Sequence, residues 1–217
     1  MYREEHWHWY PDHVHDPLEV IIGAVLVQHT AWRNAERALD ALREAGGLDP
    51  AALAAMPDER IAAFIRVSGT HNVKARRLRA VARMIVAAGG TVAFLRLPRA
   101  VMRAQLRATP GIGDETADAI LLYAGRHPVF MIDAYTRRIF ARLGAGPGLN
   151  APYAAWQAFF EHSLPGLDME TAQRYHAYLV IHGKTVCRPK PRCAACVLAP
   201  ACPVGQDSAR PGSDHED

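Results

Sequence analysis

The chain is poorest in acid where it is richest in base. From Arg60 to Gly113 there is no Asp or Glu, and eleven basic residues fall there: Arg60, Arg66, Lys74, Arg76, Arg77, Arg79, Arg83, Arg96, Arg99, Arg103 and Arg107. Lysine is scarce, with only Lys74, Lys184 and Lys190. No uninterrupted apolar run reaches the ~18 residues of a membrane helix. The first residues, rich in His, Trp and acids, carry no basic-then-apolar signal region, which predicts a chain that stays in the cytosol. Cysteine is absent until Cys187, then occurs four times, at 187, 193, 196 and 202. In a reducing compartment that grouping points to a metal site rather than disulfides. Half the 217 residues are apolar and 22% are charged. That excludes collagen-like, coiled-coil and wholly disordered classes and allows one large or two small domains. The length suffices for a core without disulfide staples.

A net charge of +3 conceals the concentrated positive stretch. Such a stretch suits a polyanion, because Lys and Arg displace counterions from phosphates. The same charges would also suit a solvated helix face.

The pattern is helical, with no alternating strand and no repeat array. Asp16-Pro17 reads as an N-cap with proline at the first helical position. Val20–Val27 is apolar on all sides, as a buried helix is. Ala31–Ala45 is amphipathic, and Pro57-Asp58 opens another helix. Asn72–Ala88 places Leu78, Val81, Ala82 and Ile85 at helical spacing. Further helices fit 99–107, 114–124, 134–143, 152–162 and 169–181. The polar tail, residues 203–217, is expected to be disordered.

Residues 106–124 carry the most information. A basic amphipathic helix ends near Ala108, Pro110-Gly111-Ile112-Gly113 turns tightly, and a new helix begins at once. The glycines permit unusual backbone angles and close approach of another backbone. Ile112 is expected to plug the turn into the core. Amides at Gly111, Gly113 and the following helix start can cradle a phosphate. A plain helical turn is the alternative, since Gly-x-Gly is common.

This segment precedes Val129-Phe130-Met131-Ile132-Asp133-Ala134-Tyr135-Thr136-Arg137-Arg138 and the cysteine loop. In that order, Leu-x-x-x-Pro-Gly-Ile-Gly-x-x-Thr-Ala, Val-x-x-x-Asp-x-x-x-x-Arg and four C-terminal cysteines resemble the endonuclease III superfamily of helix-hairpin-helix DNA glycosylases. The resemblance runs from about Asp16 to Cys202. It implies an all-α, two-lobed fold with duplex DNA in the cleft. One lobe would be a six-helix unit of residues 30–140; the other would join 1–29 to 141–202. It also implies base excision repair by a nucleoid-associated monomer, with no membrane partner.

In that family the aspartate matching Asp133 is the essential acid, opposing positive charge on the sugar as the glycosidic bond breaks. Asp133 would also suit the N-cap of the helix beginning at Ala134. Bifunctional members carry a hairpin lysine that attacks the sugar and forms a Schiff base; its match here is Glu115. The resemblance therefore implies a monofunctional glycosylase with little or no lyase activity. Adenine glycosylases of the superfamily place a glutamate on the first buried helix, where this chain has Ala24.

Glu115 with Asp133 is similar to the endonuclease III-related and 3-methyladenine DNA glycosylase III branch. So are the aromatic-rich Trp7-His8-Trp9-Tyr10-Pro11 and Val27-Gln28-His29-Thr30-Ala31-Trp32. That branch implies a base pocket of Glu115, Trp9, Tyr10 and Trp32, in which electron-rich rings attract a cationic alkylated purine. Core or domain packing is the other reading of the aromatics. His29 and Trp32 stand where the branch has Asn and Phe. Flipping leaves a hole in the stack. By resemblance, Gln28, His29 and Thr30 fill it, and a loop with His71, Asn72 and Lys74 wedges the opposite strand. Asn72 would equally serve as an N-cap and Gln28 as a helix end. The DNA-binding set is completed by Gly111, Gly113, Thr116, Arg137 and Arg138, with core pairing the alternative for one of the arginines.

The cysteines are spaced x5-x2-x5, against x6-x2-x5 in the superfamily. Four thiolates in so short a loop suit a 4Fe–4S cubane. Structural zinc usually takes two close pairs, and only one pair here is spaced x2. Lys184, Arg188, Lys190 and Arg192 make the loop basic. The rival readings are a pyrimidine or mismatch glycosylase, a DNA-structure-binding protein that has lost catalysis, and a zinc-bound nucleic-acid module.

Overall fold

The computed structural model describes residues 16–208. Trp7 to Pro11, and with them Trp9 and Tyr10, lie outside the described residues. Among those described there are α-helices and short 3-10 turns but no strand: α1 (Pro17–Leu26), α2 (Trp32–Glu44), α3 (Pro50–Ala55), α4 (Asp58–Phe64), α5 (His71–Ala87), α6 (Thr91–Leu95), α7 (Arg99–Ala108), α8 (Asp114–Tyr123), α9 (Ala134–Arg142), α10 (Tyr153–Ser163), α11 (Met169–Thr185) and α12 (Pro203–Ser208). None is long and apolar enough to cross a membrane.

The chain divides into two compact units between Val129 and Phe130. In the first, α1 is the central element. Asp16 accepts a hydrogen bond from the Leu18 amide (2.8 Å), and Pro17 takes the first helical position. Leu18 and every residue from Val20 to Leu26 are buried. Each fully buried large aliphatic side chain is worth about 1.5–3 kcal/mol, against ~1 kcal/mol for the cap. Burial therefore dominates the placement of this helix. α2, α5 and α8 pack around it, so α1 belongs with the hairpin unit and not with the C-terminal helices. The unit boundary also falls ahead of α9 and not near residue 140. The expected α5 stripe of Leu78, Val81, Ala82 and Ile85 is buried, facing α3 and α4.

The second unit packs α9 against α11 over Phe130, Ile132, Ile139, Trp156, Phe160 and Leu179. Phe130 and Phe160 stack with centroids 3.6 Å apart. The Trp156 indole donates to the Gly148 carbonyl (3.1 Å).

Two short helices and part of the tail depart from the sequence expectation. α3 and α6 are too short to show a full amphipathic period. α3 nevertheless opens on Asp49-Pro50, the same cap-and-proline pair as Asp16-Pro17. Residues 203–208, expected to be disordered, form α12. Gly205 lies so close to Ala199 that a Cβ would fall 2.7 Å from its Cα. The missing side chain lets the helix seat on the preceding 3-10 turn, despite its polar composition.

Candidate nucleic-acid interface and candidate active site

The hairpin lies between α7 and α8, and two arginines zip these helices together. Arg103 donates from Nε to the fully buried Asp118 (2.7 Å) and from Nη2 to Asp114 (2.9 Å). Arg107 also reaches Asp114 (2.9 Å) and donates to the Ile112 carbonyl (3.1 Å). Burial of the Arg103 guanidinium would lower its pKa, but its strongest bond, to Asp118, reverses that and raises it. Arg79 likewise pairs with Asp58 (3.0 Å). Part of the basic stretch is thus used internally, while Arg60, Arg66, Arg76 and Arg83 are exposed. The signal was present in the sequence: Asp114 and Asp118 are spaced i,i+4, as are Arg103 and Arg107.

Ile112 is buried in the turn, as expected. Gly111 has φ +84°, and a Cβ there would lie 2.3–2.6 Å from Nε, Cγ and Cδ of Arg77. Arg77 therefore lies across the hairpin glycine, and its Nη1 donates to Gln28 Oε1 (2.6 Å). Gln28 donates in turn to Thr116 Oγ1 (2.9 Å) and the Gly111 carbonyl (3.3 Å). The structure thus joins Gln28, Gly111 and Thr116 and adds Arg77, which the sequence did not single out. Gly113, extended, caps α8.

The two candidate probing loops each hold a non-glycine residue in the left-handed region, His29 at φ +54° and Thr70 at φ +37°. Such backbone persists only where the surroundings over-determine it. Thr30 accepts from Asn34 (3.3 Å). Thr70, not Asn72, is the residue preceding α5; His71 and Asn72 are its first two residues. Lys74 corrects the sequence reading. It is 1% exposed and offers no face to a phosphate. Its ammonium donates to the Leu26 carbonyl (2.8 Å) and the Ser68 carbonyl (2.6 Å), immediately ahead of the two loops. Glu115 is exposed in the first turn of α8, and Trp32 opens α2 half-buried.

In the second unit Asp133 caps α9, its Oδ1 accepting from the Thr136 amide (2.7 Å). Its Oδ2 lies 3.6 Å from His176 Nε2 of α11. The side chain is 8% exposed. Burial acts to raise its pKa, yet His176 and the Thr136 amide outweigh burial and hold the carboxyl below its ordinary value. The cap and a buried anion therefore coexist at one residue, because the first turn of a helix favours negative charge. Arg137 and Arg138 turn inward. Arg137 donates to the Ala151 carbonyl and lies 6.0 Å from the Trp156 ring. Arg138 donates to the carbonyls of Cys187 and Gly183 (both 2.9 Å) and covers the Tyr135 ring at 5.2 Å.

All four cysteines are free thiols and line one small pocket, partly open to solvent. Arg142 clasps this loop. Its guanidinium donates to Cys187 Sγ (3.3 Å) and to the Arg188 and Pro189 carbonyls (2.6 and 2.7 Å). Its own carbonyl accepts from Cys202 Sγ (3.2 Å). Cys196 Sγ lies 3.5 Å from His182 Nε2. Among the described residues no three His, Cys, Asp or Glu side chains converge on a single ion. Four soft thiol donors around one pocket, with a guanidinium against one sulfur, fit an iron–sulfur group better than a lone ion held by mixed donors.

The HhH-GPD superfamily of base excision DNA repair proteins matches residues 22–161, and the chain belongs to this family. Within it, the chain shares the endonuclease III fold. A Methanocaldococcus jannaschii protein, whose name assigns it provisionally as a DNA repair glycosylase, is 37% identical over 91% of this chain and 89% of its own. Endonuclease III of Sulfolobus acidocaldarius is 30% identical over 88% and 83%. A trapped endonuclease III–DNA covalent intermediate shares the fold at TM-score 0.77 and 24% identity, over 91% and 88% of the chains. The 3-methyladenine DNA glycosylase of H. pylori, bound to 1,N6-ethenoadenine, aligns at TM-score 0.65 and 26% identity over 76% and 84%.

Proposed function

We propose that the chain is a monofunctional DNA glycosylase, hydrolysing the N-glycosidic bond of a flipped alkylated purine, such as 3-methyladenine, in duplex DNA. The observation that carries this reading is Asp133, a nearly buried carboxylate held in its anionic form at a helix start. As the C1′–N bond breaks, the base leaves with the electron pair and positive charge develops on the sugar. A fixed anion lowers the energy of that state more than that of the substrate. Water then adds to C1′ and loses a proton. A base already carrying positive charge departs neutral, so no acid need protonate it first.

Glu115 supports the monofunctional part. A carboxylate cannot form a Schiff base, and none of the three lysines lies in the hairpin. The likeness to the 3-methyladenine glycosylase supports the lesion class. A thymine/uracil-DNA glycosylase of Pyrobaculum aerophilum, 28% identical over 190 residues, favours the second reading, a pyrimidine or mismatch substrate. Cys187, Cys193, Cys196 and Cys202 would hold a 4Fe–4S cluster, which supplies a cross-link for the basic C-terminal loop. A cytoplasmic monomer at the nucleoid accords with this role.

The test is a panel of duplexes carrying methylated, oxidised, deaminated and mismatched bases, analysed with and without alkali. Base release from methylated DNA, with strand breakage only after alkali, is expected. Direct nicking or borohydride trapping overturns the monofunctional reading. Release only from deaminated or mismatched duplexes selects the second reading. Asp133→Asn should abolish release and spare DNA binding; unchanged turnover removes Asp133 from the chemistry.

A further inference from the structure

We propose that His176 is the positioning residue for Asp133, orienting the carboxylate where solvent scarcely reaches. This rests on the glycosylase reading above. The pair is inter-helical: α11 brings the imidazole to the carboxylate that caps α9, and the two helices pack directly. Both partners are buried, with side-chain exposures of 4% and 8%. A carboxylate in such a place is strongly disfavoured unless it is bonded or paired.

The two oxygens are treated differently. The Thr136 amide takes Oδ1 at 2.7 Å, which fixes one end of the group. His176 Nε2, 3.6 Å from Oδ2, supplies the second point. At this distance the contact is an ion pair rather than a hydrogen bond, so the restraint on Oδ2 is electrostatic and acts when the imidazole is protonated. Each carboxylate oxygen keeps a further lone-pair direction, which leaves the group able to face a developing cation. Preorganised charge of this kind acts without reorganising during the reaction.

From α9, Tyr135 feels Asp133: burial first, then the neighbouring carboxylate, push its phenol pKa up, and Arg138 pulls it back. Arg138 itself is committed to the Cys187 and Gly183 carbonyls. His176, on α11, lies directly against the Asp133 carboxylate. It was invisible in the sequence because it lies 43 positions downstream of Asp133, within an ordinary amphipathic helix.

Three full-length variants test this on methylated duplex: Asp133→Asn, His176→Leu and His176→Gln. His176→Leu removes the donor, and His176→Gln restores an N–H close to the position of Nε2. The leucine variant should lose about tenfold or more in single-turnover base release, because the carboxylate loses its second point of orientation. Its affinity for a duplex with an abasic-site analogue should stay within about twofold, because the residue acts through Asp133. The acidic limb of its pH–rate profile should move to higher pH, and glutamine, polar but uncharged, should recover only part of the rate. The Asp133 carboxyl, followed by carbon NMR, should titrate at higher pH in His176→Leu than in the native chain. An unmoved rate, profile and carboxyl titration in folded His176→Leu, with Asp133→Asn inactive, overturns this inference alone. Full activity in Asp133→Asn overturns Asp133 catalysis and the His176 role with it. If His176→Leu does not fold, His176→Gln decides: slowed release with normal DNA binding and an acidic limb moved to higher pH supports the role, and a native rate and limb overturns it.

Discussion

Lys74 offers a sharp test of how the candidate interface is built. In Lys74→Met the side chain keeps nearly its volume but loses the ammonium. Two bonds go with it, at 2.8 and 2.6 Å, to carbonyls of Leu26 and Ser68. Hydrogen bonds from charged donors contribute about 1.5–3 kcal/mol each, and an unpaired buried carbonyl costs ~1–3 kcal/mol. Against this, methionine removes the cost of burying a cation, several kcal/mol after relaxation. The losses win because two carbonyls are stranded by one change, and the net expectation is a destabilisation of about 1–3 kcal/mol. For a chain of this size that lowers the melting temperature by roughly 2–12 °C. Lesion binding should also weaken, since the lost bonds hold the backbone ahead of His29 and Thr70. The pH dependence has a definite sign. Burial, and then Arg77, push the Lys74 pKa below its ordinary 10.5. Below both pKa values the full cost of burying the charge is present. Between the folded and unfolded values the unfolded chain binds more protons, so native stability rises with pH towards 10.5. Lys74→Met should lack this rise. Reductive methylation gives an independent check: Lys184 and Lys190 are exposed and should react, while Lys74 should be protected. A melting temperature unchanged in Lys74→Met, or methylation of Lys74 as fast as of the other two, would refute the reasoning.

Three further outcomes are expected. Gly111→Ala forces a Cβ into the left-handed region and onto Arg77; it should cost about 1–3 kcal/mol and weaken duplex binding in a filter or anisotropy assay. Asp118→Asn removes the buried carboxylate paired with Arg103 and leaves it only Asp114. Because the Arg103 side chain is 26% exposed, the loss in denaturant titration should fall short of the ~3–5 kcal/mol of a fully buried broken pair. Cys196→Ser should remove or weaken the brown iron–sulfur chromophore of purified protein, whereas a colourless native protein with stoichiometric zinc would replace the cluster by the rival metal.

The legible parts of this chain were those whose cause is local. Asp16-Pro17 and Asp133 announce helix starts because a cap needs only neighbouring residues. The run through α1 announces burial because no polar face interrupts it, and Pro110–Gly113 announces a tight turn because few residues adopt its angles. What stayed hidden was the use of charge. Arginine reads alike in sequence whether it meets phosphate, carboxylate or a carbonyl, and only the fold separates these fates. Arg103 and Arg107 close the hairpin, Arg138 and Arg142 tie α9 to the cysteine loop, and Lys74 props two backbones apart from any solvent. The exposed Arg60, Arg66, Arg76 and Arg83 are consequently better candidates for steering DNA than the arginines nearest the motifs. Their contribution would appear as the salt dependence of binding, since each phosphate neutralised releases counterions. Replacing Arg76 and Arg83 should flatten the slope of log affinity against log salt. Replacing Arg138 should instead loosen the fold, because its guanidinium already holds two carbonyls.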